Sequence, residues 1–420
     1  MTTTELPAGD LLRLATAGSV DDGKSTLVGR LLHDTSAVMP DQLEAVRRAS
    51  LGRGLAEADL ALLTDGLRAE REQGITIDVA YRYFATAKRR FILADTPGHV
   101  QYTRNMVTGA STAELAVILV DARHGFVEQT GRHTVVSALL RVPHVALAVN
   151  KMDLVDYDER IFASIAAEFS DYAGKLGVPD IVAIPMSALC GDNVVTPSSH
   201  MPWYAGPTLL EHLESVPTVG EPEATRLPVQ YVIRATDFRG YAGQLASGLL
   251  RVGDPVVVSP AGHRTRIAGI EIGGTAVDEA FAPQSVLVRL ADAVDVARGD
   301  LITPVSTMPE PTDRLTVVAC QLASRPLRVG DRVLVRHTTR TVRAFVEAVE
   351  ERLDVHDLTV DNPMDTLYTN EIALVSLRTG EPLAVDTYEF NRHCGAVLLI
   401  DEAGGDTLTA GMVGVPPWWP

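Results

Sequence analysis

Several things are scarce in this sequence, and each scarcity excludes something. Cysteine occurs three times in 420 residues, at Cys190, Cys320 and Cys394. The count is odd and the spacing wide, so neither a disulfide framework nor a CxxC metal site is expected, and a reducing compartment fits. Basic residues are outnumbered: 37 Lys and Arg face 54 Asp and Glu, for a net charge of −17. With no extended Lys/Arg block, binding to nucleic acid or an anionic membrane through bulk charge is not expected. The excess charge serves solubility. Long apolar runs are missing too, since none approaches the roughly 18 residues of a spanning helix. The N-terminal "MTTTELPAGD" lacks the basic-then-apolar pattern of a secretory leader. A soluble, cytoplasmic protein is expected.

Apolar residues make up 46 % of the chain, enough for packed cores, and the length calls for two or three domains. In the first half, short runs apolar on both faces (Leu11–Ala17, Phe91–Ala94, Leu115–Val120, His144–Val149, Ile181–Pro185) alternate with helix-period segments such as "GRHTVVSALLRV" and "RIFASIAAEFSDYAGKLG". That alternation predicts an α/β fold with a doubly wound, mainly parallel sheet, whose ligands bind at the carboxyl ends of the strands. The texture changes near residue 215. "VPTVGEPEATRLP" reads as a linker, and short β-type runs punctuated by turns follow it. A second Pro-rich joint, "MPEPTDR", divides this β-rich half. The expected domains are 1–216, a nucleotide-binding α/β domain, then two β-barrel domains, 217–307 and 308–420.

Chemistry enters at "GSVDDGKSTL", Gly18 to Leu27, which satisfies GxxxxGK[ST] between a strand-like and a helix-like segment. Gly18 and Gly23 let the backbone of Ser19, Val20, Asp21 and Asp22 curl around phosphate oxygens at a helix N-terminus. Lys24 reaches the β/γ phosphates, Ser25 can ligate Mg²⁺, and Thr26 continues into the helix. "DTPGH" follows the strand "FILA". There Asp95 is placed to hold a Mg²⁺-bound water. Gly98, without a Cβ, can offer its N–H to a γ-phosphate. A single histidine is more often a core or surface residue, but His99 directly follows that glycine, which favours a place beside the attacking water.

"NKMD", Asn150 to Asp153, follows another apolar strand. The Asp153 carboxylate can accept two hydrogen bonds from N1–H and the 2-amino group of guanine, neither of which adenine offers, while Asn150 and Lys151 pack around the base. "SAL", Ser187, Ala188 and Leu189, at the end of the last strand supplies a backbone N–H for guanine O6. Four motifs in order, each at a strand terminus, make GTP the expected ligand. Between the first two lies "EREQGITID" with Thr76, which can complete a Mg²⁺ shell only while a γ-phosphate is present. The switch segment before it is long and is expected to carry some helix between Leu43 and Leu63.

At "GITI", "DTPGH", "NKMD" and "SAL" the sequence resembles the translation-factor class of GTPases. Within that class it is similar to the GTPase (large, first) subunit of bacterial sulfate adenylyltransferase. The similarity is carried by "GSVDDGKSTL" with Ser19 and Asp22, by "RLLHDT", "LLTDGLRAEREQGITIDVAYRYF", "RRFILADTPGH", "QYTRNMVTGAS", "DFRGYAGQLASG" and by "NRHCGAVLLID". It covers essentially the whole chain. The pattern departs at Val100, where Glu is more frequent, at Cys190, where Lys is common, and at Cys394, where Thr is usual. The resemblance implies a G domain followed by two β-barrels, catalysis involving Lys24, Thr76 and His99, and GTP with Mg²⁺ as cofactors. It also implies a small adenylyltransferase subunit of ATP pyrophosphatase type as partner, which joins ATP and sulfate into adenylyl sulfate and pyrophosphate. The sequence holds neither a second GxxxxGK[ST] nor the "SGG" loop of ATP pyrophosphatases. The alternative is a translation elongation factor that delivers aminoacyl-tRNA.

Overall fold

The computed structural model describes residues 11–52, 58–63, 79–97, 103–218, 224–236, 238–361 and 364–420. The chain divides into two compact units, Met1–Val219 and Gly220–Pro420.

In the first unit, six strands form one sheet: β1 (Leu11–Gly18), β2 (Ala80–Ala85), β3 (Arg90–Asp95), β4 (Leu115–Asp121), β5 (His144–Asn150) and β6 (Asp180–Pro185). Their order is β2-β3-β1-β4-β5-β6, with every pair parallel except the antiparallel edge β2–β3. All seven residues of β4 and of β5 are buried, which is why their sequences are apolar on both faces instead of alternating. Among the described residues six helices accompany the sheet: α1 (Lys24–Asp34), α2 (Pro40–Gly52), α3 (Thr103–Ala110), α4 (Glu128–Leu139), α5 (Glu159–Lys175) and α6 (Leu209–Ser215). Leu27, Val28 and Leu31 of α1 pack on Leu12, Leu14 and Leu93 of the sheet. The helix α6 starts on a reciprocal cap, with Glu211 N–H on Thr208 Oγ1 and Thr208 N–H on Glu211 Oε2. The expected helical content of the switch segment is present as α2 and the 3₁₀ turn Leu60–Leu63. Because β1 lies between β3 and β4, the chain leaves β1 at the point where strand order reverses, the place where open α/β sheets bind ligands at their carboxyl ends.

The described residues of the second unit form strands and turns, with one 3₁₀ turn at Val305–Thr307. Leu227–Pro228 pairs with Leu301–Pro304, and the path runs through Pro255–Ser259, His263–Ile272, Ser285–Leu290 and Phe238–Gln244 to Tyr231–Ala235. The first and last of these segments are consecutive in the chain, which brings the two ends of the sheet together beside Phe238–Gln244. Gln230 N–H, on Ala242 O at 2.9 Å, extends the pairing of Tyr231–Ala235 with Phe238–Gln244 toward this meeting point. A glycine is required there: a Cβ on Gly243 would lie 2.3 Å from Pro228 O. The second barrel closes directly, through Arg332–His337, Ala396–Asp401, Thr407–Val413, Pro311–Gln321, Ile372–Ala384 and Arg340–Leu353, the last pairing back onto the first. Arg226, 1 % exposed, crosses between the barrels, its Nε and Nη2 donating to the two Asp386 carboxylate oxygens at 2.8 Å each. Asn391 Nδ2 donates to Ser247 Oγ at 2.9 Å beside it. Asp386 and Asn391, the latter opening "NRHCG", thus build an inter-barrel clasp.

Candidate nucleotide site

The loop between β1 and α1 takes the shape that its glycines and acids allow. Asp21 and Gly23 are left-handed, φ 67° and 94°, so successive backbone N–H groups turn toward one concavity ahead of α1. Gly23 has a second reason to be glycine. A Cβ there would lie 2.4 Å from Asn150 Nδ2. Lys24 is buried, and its Nζ donates to Gly18 O at 2.8 Å and Ser19 O at 2.7 Å. Burial pushes its pKa down against the pull of Asp22, Asp95 and Asp21. The Asp22 carboxylate folds back to accept from Ser19 N–H, and burial pushes its pKa up, opposed by Lys24. Asp95, 1 % exposed at the end of β3, stands in register with Thr16 and accepts from its Oγ1 at 3.1 Å.

The "NKMD" loop is joined to this cradle by two side chains. Asn150 donates through Nδ2 to Asp22 O at 2.7 Å and accepts through Oδ1 from Ala188 N–H at 2.9 Å. Lys151, itself left-handed at φ 64°, extends its Nζ to Asp21 O and to Asp121 Oδ2. Asp153 lies in the 3₁₀ turn Met152–Val155, and its Oδ1 is buried with no hydrogen-bond partner among the described residues. A buried carboxylate oxygen in that condition costs free energy until a donor arrives. The donor set of guanine fits this need.

The structure therefore brings together Gly18 to Thr26, Asp95, Asn150, Lys151, Asp153 and Ser187 to Leu189 at the carboxyl ends of β1, β3, β5 and β6. Thr76, Gly98 and His99 lie outside the described residues. Within "SAL", the Ala188 N–H goes to Asn150, so the expected contact to guanine O6 has to be shared or made by a neighbour. Sequence reasoning passed over Asp121, the last residue of β4. It is 2 % exposed and binds Lys151 at 2.9 Å and Arg123 Nη2 at 2.6 Å. Burial raises its pKa, but hydrogen bonds from Arg123 and Lys151 more than compensate and hold the carboxyl well below the usual range. Its signal was an acid closing an otherwise wholly apolar strand, "LAVILVD".

Oxygen donors also suit a hard cation. The Ser25 hydroxyl and the Asp95 carboxylate are ligand types that Mg²⁺ accepts alongside phosphate oxygens. Among the described residues no helix is long and apolar enough to cross a membrane.

Residues 10–221 match the elongation factor Tu GTP binding domain, and residues 314–414 match the GTP-eEF1A C-terminal domain-like family. The bifunctional enzyme CysN/CysC of Mycobacterium tuberculosis is 54 % identical over 96 % of this chain and 67 % of its own length. Sulfate adenylyltransferase subunit 1 of Cellvibrio japonicus is 47 % identical over 96 % of this chain and 86 % of its own. Among solved structures, sup35 complexed with GMPPNP matches 97 % of this chain and 95 % of its own at 22 % identity and a TM-score of 0.44. The chain belongs to the sulfate adenylyltransferase subunit 1 family, and its first unit is a GTPase domain of the elongation factor Tu type.

Proposed function

We propose that this chain hydrolyses GTP as the large subunit of a sulfate adenylyltransferase and works with a small subunit that forms adenylyl sulfate and pyrophosphate from ATP and sulfate. The observation that carries the nucleotide assignment is the buried, unpartnered Asp153 Oδ1 at the base end, tied through Asn150 to a phosphate loop. The names of the relatives support the sulfate side, and "subunit 1" in those names supports a partner. The domains are read as 1–216, 217–307 and 308–420.

In this reading Lys24 meets the β- and γ-phosphates, exchanging contacts to two carbonyls for contacts to an anion and regaining the charge that burial disfavours. Ser25, Thr76 and, through water, Asp95 would hold Mg²⁺, which would supply charge neutralisation on the phosphates. His99 orients the attacking water, and Gly98 N–H meets the γ-phosphate. Adenylyl sulfate is a strongly uphill anhydride, which gives a physical reason to couple its formation to GTP hydrolysis.

The test is GTP turnover by the chain with its co-purifying small partner, with and without ATP plus sulfate. Stimulation by ATP plus sulfate is expected. Stimulation by ribosomes, with none from ATP plus sulfate, overturns the assignment in favour of an elongation factor.

A further inference from the structure

Arg30 sits on α1, less than about two turns beyond Lys24, and takes no part in the contacts described so far. Its side chain leaves the helix toward the loop after β6. There Nε donates to Ala188 O at 3.2 Å and Nη2 donates to Leu189 O, while Nη1 stays 3.8 Å from Asp34 on the next turn. A planar guanidinium is suited to this, because its donors form a fixed fork that can hold two acceptors at once.

The two carbonyls belong to consecutive peptide units. In a planar trans peptide the C=O and the N–H of the following residue point in opposite directions. Turning Ala188 O toward Arg30 therefore turns the Leu189 N–H away from it. Turning Leu189 O does the same to the Cys190 N–H, which is received by Ser187 Oγ at 3.2 Å. The Ala188 N–H is committed to Asn150. Of the three successive N–H groups, only that of Leu189 has no partner among the described residues.

We propose that Arg30 is a positioning residue for base recognition: by holding the carbonyls of Ala188 and Leu189 it aims the Leu189 N–H at the 6-oxo group of guanine. It grows from the helix that the phosphate loop opens, so the base loop is set by reference to the phosphates. The inference rests on the reading of this site as a guanine site.

The test uses the full chain with its partner subunit and compares wild type, R30A and R30K. Dissociation constants are measured for GTP and for 2-aminopurine riboside triphosphate, which lacks the 6-oxo group. The analogue also lacks the N1 proton, but that loss is common to all variants, so the ratio of ratios isolates the 6-oxo contact. R30A is expected to weaken GTP by about tenfold and the analogue by less than about twofold, with R30K recovering part of the loss. Equal weakening of both ligands, or of neither, overturns the role of Arg30. A wild type that binds ATP as tightly as GTP overturns the guanine reading itself and this inference with it. Should R30A fail to fold, R30Q, which keeps one donor for a carbonyl, carries the same comparison.

Discussion

Lys151 Nζ stands 2.9 Å from Asp121 Oδ2, a buried carboxylate at the end of one strand holding a cation that follows the end of the next. The same ammonium donates to Asp21 O, so Asp121 draws Lys151 across the phosphate loop. This gives the lysine of "NKMD" a fixed path across the loop.

Replacing Asp121 by Asn keeps the shape and removes the charge. Guanine nucleotide affinity is expected to fall by about tenfold, read by titration with a fluorescent GDP analogue. The carboxyl is held below its ordinary value in the folded state, so its contribution to stability is full above its unfolded pKa of about 3.9 and is lost as pH falls through the folded one. The stability gap between wild type and D121N should therefore be flat at neutral pH and shrink in acid. A gap that widened in acid would contradict the pairing.

Asp153→Asn changes the partner that the buried oxygen demands. An amide in that place donates where the carboxylate accepts, so preference should move from GTP toward xanthosine triphosphate by at least about tenfold. Competition between the two nucleotides measures it. Unchanged guanine affinity would mean that the carboxylate does not face the base.

Much of this site was legible because its residues sit where apolar strands stop. Lys24, Asp95 and Asn150 each follow a run that is apolar for a structural reason, so polarity at its end marks the active face. Asp121 obeys the same rule but belongs to no spaced motif, and its importance emerges only when Lys151 reaches it. Arg30 could not be read at all, since an arginine on an amphipathic helix looks like solvent-facing charge. In the fold, the five parallel strands were plain, whereas the sequence of Arg340–Leu353 does not carry the alternation of a strand along its whole length. Bulges between Val346 and Ala348 and between Val349 and Glu351 shift its alternation, and "FVEAVEERL" loses the period of two. Phe238–Gln244 was hidden differently, by glycines that permit the close approach at Pro228 and dilute the strand signal.

Lys24→Met removes a cation that burial disfavours. Triphosphate binding should be lost, measured by calorimetry with GTP. Because the folded pKa of Lys24 lies below the unfolded value of about 10.4, the unfolded chain binds more protons between the two, and the ligand-free protein gains stability as pH rises through that window. K24M should lack this rise. Denaturation midpoints of both proteins across alkaline pH provide the comparison, and parallel curves would mean that the ammonium is solvated.

The clasp between the barrels gives the last prediction. Arg226 is the largest fully buried side chain among the described residues, and its guanidinium is met by both oxygens of Asp386. Asp386→Asn leaves that cation buried with weaker acceptors, and breaking a buried pair from one side costs about 3–5 kcal/mol. The R226M/D386L double substitution removes both charges and should cost less than D386N alone, since no unpaired charge remains. Chemical denaturation of the three proteins decides the point. A double variant less stable than D386N would show that the pair contributes packing and not charge compensation.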